Sequence, residues 1–384
     1  MIRGGLAASL LIGVFAAGHS GPPLALAGNG ECRFPGQQTE GTPWPLQRIL
    51  LDELWQDTMG AGVRVAVIDS GVDDANPQLR DAVDAAAGKD LVGTTDGTVD
   101  EAGHGTKVAG IIAARPRAGT GFVGLAPEAT IIPIRQTDGR SSGAADDMAA
   151  AIDHAIAQDA DVINISQDTS RPLSPDSPLG LAVSRAIAAD VVVVASAGND
   201  GKDGRVKNTY PAAFPGVLAV AASDRNDERA AFSQSGGFVG VAAPGVDVVS
   251  TVPGGGQCVD SGTSFSAPYV AGVAALLRAK YPQWKAGEVV ARIQRTAVRP
   301  PGEDRDDEIG WGVADPVRAV TGSAQAPRRG SAPVAAAPLT PSDGPRERDA
   351  RVATYAVAAG ALLVALVAGT CTVMRDSRRR RGIG

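Results

Sequence analysis

Ser261-Gly262-Thr263-Ser264-Phe265-Ser266-Ala267-Pro268 decides how this chain is read. A hydroxyl stands at the head of an apolar, helix-period segment, among residues small enough to let another backbone approach. Upstream lie Val65-Ala66-Val67-Ile68-Asp69-Ser70-Gly71 and Gly103-His104-Gly105-Thr106. An acid, a base and a hydroxyl therefore occur in the order Asp69, His104, Ser264. A serine hydroxyl is a poor nucleophile until an imidazole takes its proton, and the imidazole needs a carboxylate to fix its tautomer and stabilise its charged form. Each segment alone has a plainer reading. An Asp closing an apolar strand is usually a turn former or a cap, Gly-His-Gly a loop, and Gly-Thr-Ser-x-Ser a helix start. Their joint occurrence, in this order, carries the argument.

Asp…His…Ser is the subtilisin order, and the three segments with their flanks resemble the subtilisin-like (subtilase, S8) serine peptidases from about Gly60 to about Val320. The resemblance implies a three-layer α/β/α fold on a mostly parallel sheet, with Asp69, His104 and Ser264 as the catalytic residues. It also gives a role to Val191–Asn199, an apolar strand running into the turn Ala197-Gly198-Asn199-Asp200-Gly201. Outside that context the turn needs no function. Within it, Asn199 is the amide that joins the Ser264 N–H in holding an oxyanion. Ser166, Gln167, Ala197 and Gly198 would line the substrate. Many subtilases follow the segment matching Val162–Ser166 with Leu-Gly-Gly, an edge that pairs with substrate as an added strand. Here Gln167-Asp168-Thr169 follows. Bulkier polar side chains there imply narrow, processing-type specificity, unless the loop takes another path.

The histidines provide an internal check, because the chain has only His19, His104 and His154. His19 lies in a segment expected to be removed. His154 falls in the helix pattern Ala144–Asp159, off the apolar stripe of Met148, Ile152, Ala155 and Ile156, and is expected to face solvent. A histidine base is then His104.

Apolar runs predict strands at Val63–Ile68, Thr130–Ile134, Asp161–Ile165, Val191–Ala195, Val217–Ala221 and Val239–Ala242. Several are continuous, as parallel strands covered on both faces should be. Helix periods fall at Leu46–Gln56, His104–Ala114, Ala144–Asp159, Leu179–Asp190, Phe265–Tyr281 and Glu288–Thr296. Asp69 then closes a strand, where open α/β sheets place ligands. His104 and Ser264 open helices, and Pro268 comes early enough in its helix that its missing N–H should cost little.

The ends bear on location. A basic start, an apolar run from Leu6 to Ala17 and Ala25-Leu26-Ala27 before Gly28 form the pattern of a signal peptide over 1–27. Val352 to Met374 is 23 residues without a charge, a length that suits one transmembrane helix. Arg375, Arg378, Arg379, Arg380 and Arg381 against a lone Asp376 put the basic tail 375–384 on the cytoplasmic side. The stretch 321–350 is rich in Pro, Ala and Ser, too poor in large apolar residues to fold, and suits a tether. Residues 60–320 are then an extracytoplasmic peptidase domain. Residues 28–59 are too short for the usual subtilase prodomain and are expected to pack on the catalytic domain.

Of three cysteines, Cys371 falls in the expected span. Cys32 and Cys258 remain, and in an oxidising compartment they are expected to pair, two free thiols being the alternative. A net charge of −6 with mixed signs leaves no nucleic-acid footprint. Asp73-Asp74 and the cluster Asp304, Asp306, Asp307 and Glu308 lack calcium-loop spacing, so no metal and no cofactor is expected. Signal, short extension, subtilase domain, tether, span and basic tail together resemble the mycosins, membrane-anchored subtilases of type VII secretion. That resemblance implies protein substrates and secretion-system membrane components as partners. The competing reading is a structural component of such a complex, its proteolysis secondary.

Overall fold

The computed structural model describes residues 32–139, 145–299 and 304–322. The expected signal peptide, almost all of the tether, the span and the basic tail lie outside these residues. Among the described residues no helix is long and apolar enough to cross a membrane.

The strands are β1 (Arg64–Asp69), β2 (Lys89–Asp90), β3 (Thr130–Arg135), β4 (Val162–Ile165), β5 (Val192–Ser196), β6 (Leu218–Ser223), β7 (Val239–Pro244), β8 (Val248–Thr251) and β9 (Gln257–Asp260). The helices are α1 (Trp44–Gln47), α2 (Leu51–Leu54), α3 (His104–Ala113), α4 (Ala145–Ala157), α5 (Pro178–Ala188), α6 (Thr263–Lys280), α7 (Ala286–Thr296) and α8 (Pro316–Thr321). Seven strands form one sheet in the order β2-β3-β1-β4-β5-β6-β7, with every neighbouring pair parallel. The six expected strands are its six longer members.

Alternation along each strand makes two cores. Val65, Val67, Val194, Val220 and Val241 pack with α3 and α6 on one face. Ala66, Ile68, Ile163, Ile165 and Val193 pack with α4 and α5 on the other. Helix α6 is buried nearly all round, as expected of a helix that is apolar on every side. The strand order turns back at β1, with β2 and β3 to one side and β4 to β7 to the other. Ligand crevices open at the carboxyl ends of the strands beside such a point, and Asp69 ends β1 there.

Three expectations need correction. Leu46–Gln56 is not one helix but two short ones, α1 and α2, broken at Leu50. Ile49 is buried while Leu50 is 67% exposed. Arg48 is drawn out to Asp227 in a two-pronged ion pair at 2.6 and 2.5 Å, and the chain turns there rather than continuing the helix. His154 does not face solvent freely. It is half-buried, with Nε2 set 2.9 Å from the Ala87 carbonyl. Pro268 is the sixth residue of α6, not within its first turn, so its missing N–H leaves the carbonyl of Ser264 without its helical donor.

The N-terminal stretch from Cys32 is bonded to the rest of the described chain. Cys32 and Cys258 form a disulfide, Gly36 N–H donates to Gly255 O at 2.9 Å, and Trp44 Nε1 donates to Val246 O at 3.0 Å.

Candidate active site

Asp69 is fully buried at the end of β1, and its Oδ1 accepts from the Ser70 N–H at 2.8 Å and His104 Nδ1 at 2.7 Å. A carboxylate can only accept, so the bond places the His104 proton on Nδ1 and turns Nε2 into the acceptor. Burial works against a charged His104 ring, but the charge and hydrogen bond of Asp69 outweigh it and hold its pKa above the ordinary 6.5.

His104 is held by the way α3 begins. Gly103 is left-handed, with φ 72°, and a β-carbon there would sit 2.1 Å from the Phe34 ring. Only glycine serves at such a position. The orphan N–H groups of a helix start need acceptors, and Asp100 supplies them. Its Oδ1 takes Gly103 N–H at 2.7 Å and its Oδ2 takes Thr106 N–H at 2.8 Å. Ser70 Oγ donates to Asp100 at 2.8 Å and accepts from Gly105 N–H at 3.0 Å. The buried Asp100 thus ties the end of β1 to the start of α3. Burial, with a smaller push from Asp69, leaves its pKa raised despite these donors.

Ser264 is the second residue of α6. Its Oγ donates to the Ser166 carbonyl at 3.0 Å, and Ser166 Oγ donates to the Ser264 carbonyl at 2.8 Å. The second bond fills the place of the N–H that Pro268 lacks. Asn164 Nδ2, inside the apolar strand β4, donates to Ser166 Oγ at 2.9 Å. The His104 ring packs 5.4 Å from the Phe265 ring, beside Ser264. The hydroxyl rests on the Ser166 carbonyl, which it must leave to donate to His104.

Asn199 Oδ1 accepts from the Thr263 N–H at 2.9 Å and the Thr263 hydroxyl at 3.1 Å. This orients the amide with Nδ2 free to donate. A β-carbon built on Gly262 would lie 3.6 Å from Asn199 Nδ2 and 3.7 Å from Ser264 N, so both donors border one small space that a larger residue at 262 would fill. The Ser264 N–H lies in the first turn of α6, where the helix dipole favours negative charge.

Of the other expected substrate-lining residues, Ala197 and Gly198 are buried and their backbones are already engaged. Ala197 donates to Val220 O at 2.9 Å and accepts from Thr209 Oγ1 at 2.8 Å. Gly198 donates to Thr263 Oγ1 at 3.1 Å and accepts from Gln234 N–H at 2.9 Å. They can form a wall but offer no free backbone edge. Gln167 is half-buried beyond Ser166, and Thr169 exchanges backbone bonds with Tyr210 at 3.0 and 2.9 Å. Among the described residues no group of acids, histidines and cysteines could hold a metal ion. Asp73 instead accepts from Gly254 N–H at 2.6 Å, and Asp306 pairs with Arg299 at 2.8 Å.

Sequence reading missed Asp100, Ser70, Thr263 and Asn164. Asn164 had a signal, since a lone amide inside a buried apolar strand must find a partner.

Residues 60–312 match the sequence model of the Subtilase family, Peptidase S8, and the chain belongs to that family of serine peptidases. Within it, the chain is a homologue of Mycosin-4 from Mycobacterium tuberculosis (strain ATCC 25618 / H37Rv), 38% identical over 377 residues that cover 86% of this chain and 81% of that protein. A solved MycP3 protease from the type VII (ESX-3) secretion system is 36% identical, with a TM-score of 0.67, covering 76% of this chain and 91% of that one. A chain in an intact ESX-5 inner membrane complex is 34% identical, with a TM-score of 0.65, covering 88% of this chain and 92% of that one.

Proposed function

We propose that this chain is a membrane-anchored, extracytoplasmic serine endopeptidase that processes few protein substrates at a type VII secretion system. The observation that carries the chemistry is the 2.7 Å bond between buried Asp69 and His104 Nδ1. His104 Nε2 takes the Ser264 proton as Oγ attacks the scissile carbonyl, then returns it to the leaving amine. Asp69 stabilises the imidazolium formed between these steps. Asn199 Nδ2 and the Ser264 N–H receive the oxyanion, a donor pair of which each member is worth about 3–4 kcal/mol in the transition state. Water then repeats the sequence on the acyl-enzyme.

Anchoring rests on the uncharged stretch Val352–Met374 and the arginines after it. The secretion role rests on the likeness to Mycosin-4 and to the ESX-5 complex chain. Narrow specificity rests on Gln167-Asp168-Thr169 and on the engaged backbones of Ala197 and Gly198. The test is the secreted proteome of cells carrying wild type or Ser264→Ala. Loss of a few defined cleavages, with bulk export intact, is expected. Identical proteomes would contradict the processing role.

A second role as a physical part of the complex is favoured by the breadth of the ESX-5 match, which takes in 88% of this chain. Deleting the chain would then stop export that Ser264→Ala leaves running. Equal loss in both strains would leave proteolysis as the whole function.

A further inference from the structure

The peptidase reading leaves one charged side chain in the crevice unused. Strands β4 and β5 pair in register, with Ile165 beside Ala195. Three residues beyond that pair, Asp168 still lies against Gly198. A β-carbon on Gly198 would meet Asp168 Oδ2 at 3.2 Å and the Thr209 methyl at 2.8 Å. Asp168 is two residues past Ser166, which holds Ser264, and Gly198 immediately precedes Asn199. Asp168 and Gly198 thus lie side by side on the segments that carry Ser166, the partner of Ser264, and Asn199.

Asp168 is half-buried, and among the described residues no donor or cation engages its carboxylate. Its pKa is pushed up to about 6, first by burial and then by the charge of Asp200. Both effects express a carboxylate short of positive charge. Asp203, on the same turn as Asp200, has a cation of its own, Lys207 at 3.2 Å.

We infer that Asp168, supported by Asp200, selects substrates with lysine or arginine as the residue donating the scissile carbonyl. This assignment rests on the peptidase reading and gives it a substrate class. A cation entering the pocket supplies the missing partner, whereas a neutral side chain leaves the carboxylate desolvated and unpaired.

The test uses the full-length chain in detergent and a fluorogenic peptide series varying only in that residue: Lys, Arg, norleucine, Ala and Glu. Wild type should favour Lys over norleucine by about 10- to 100-fold in kcat/KM, the range set by a hydrogen bond to a charged group. Asp168→Asn should remove most of that ratio, and Asp168→Lys should shift the preference to Glu, a gain that misfolding cannot produce. Ser264-dependent hydrolysis with no preference for Lys or Arg overturns this assignment alone. A Lys preference that survives Asp168→Asn also overturns it. No Ser264-dependent hydrolysis of any peptide overturns the peptidase reading and this assignment with it.

Discussion

Ser166 and Ser264 exchange two hydrogen bonds, each hydroxyl donating to the other's carbonyl, at 2.8 and 3.0 Å. One consequence follows from Pro268, which cannot supply the helical N–H to Ser264. Ser166→Ala leaves that carbonyl without a donor and should cost about 1–3 kcal/mol of stability. Ala at 268 restores the N–H, so Ser166→Ala should cost less in a Pro268→Ala background. Denaturant titration of the four proteins of this cycle measures the difference. Equal costs in both backgrounds would contradict the substitution of one donor for the other.

The pH profile should carry the mark of Asp69. Its charge and hydrogen bond outweigh burial at His104 and hold the ring's pKa above 6.5. In the proposed chemistry the base is the neutral ring, so kcat/KM should rise with pH through a value above 6.5, the free-enzyme pKa of His104. In Asp69→Asn burial acts with less opposition, so the limb should move to lower pH while activity falls by about 10⁴. A limb that stays in place would contradict the coupling.

His104 and His154 should separate cleanly. His104→Ala and Ser264→Ala should each remove hydrolysis, and the double variant should lose no more than either alone. His154→Ala removes only the contact with Ala87 O, so it should cost about 0.5–1.5 kcal/mol of stability and leave activity within about a few fold. Peptide assays of the four proteins decide this.

Much of this was legible beforehand. Continuous apolar runs such as Val191–Ala195 announce parallel strands because both faces are covered, and Asp69 and His104 of the motif segments meet at 2.7 Å. The hairpin of β8 and β9 was not, since both strands are short and Gly254-Gly255-Gly256 between them gives no period. Asp100 was hidden because its task, capping α3 and bonding Ser70, depends on chain segments 30 residues apart. The break at Leu50 was hidden because the contact beside it, Arg48 with Asp227, spans 179 residues.

The disulfide should matter to both stability and catalysis. Cys32 and Cys258 are 226 residues apart, and closing so long a loop is worth up to about 5 kcal/mol in a chain-entropy account. It also holds Phe34 against Gly103, the residue before His104. Cys32→Ala with Cys258→Ala should unfold at lower denaturant and lower kcat more than it raises KM. Unchanged kcat would show that the extension does not support His104.

Charge selection at Asp168 should fade as pH falls. Asp200 is the charged group acting on it, with Thr209 and Gln234 as uncharged neighbours. Because its pKa is raised to about 6, the Lys-to-norleucine ratio should be full well above that pH and collapse below it. Titration of His104 affects both substrates alike and cancels in the ratio. A ratio that is flat with pH would contradict it.

The central claim is that Ser264 is a nucleophile activated by His104, and reaction with a fluorophosphonate tests it most directly. Peptide mapping by mass spectrometry should find one adduct, on Ser264, forming about a hundredfold or more slowly in His104→Ala and at the wild-type rate in His154→Ala. No adduct in the wild-type protein, an adduct on another serine, or equal rates in wild type and His104→Ala would contradict the account.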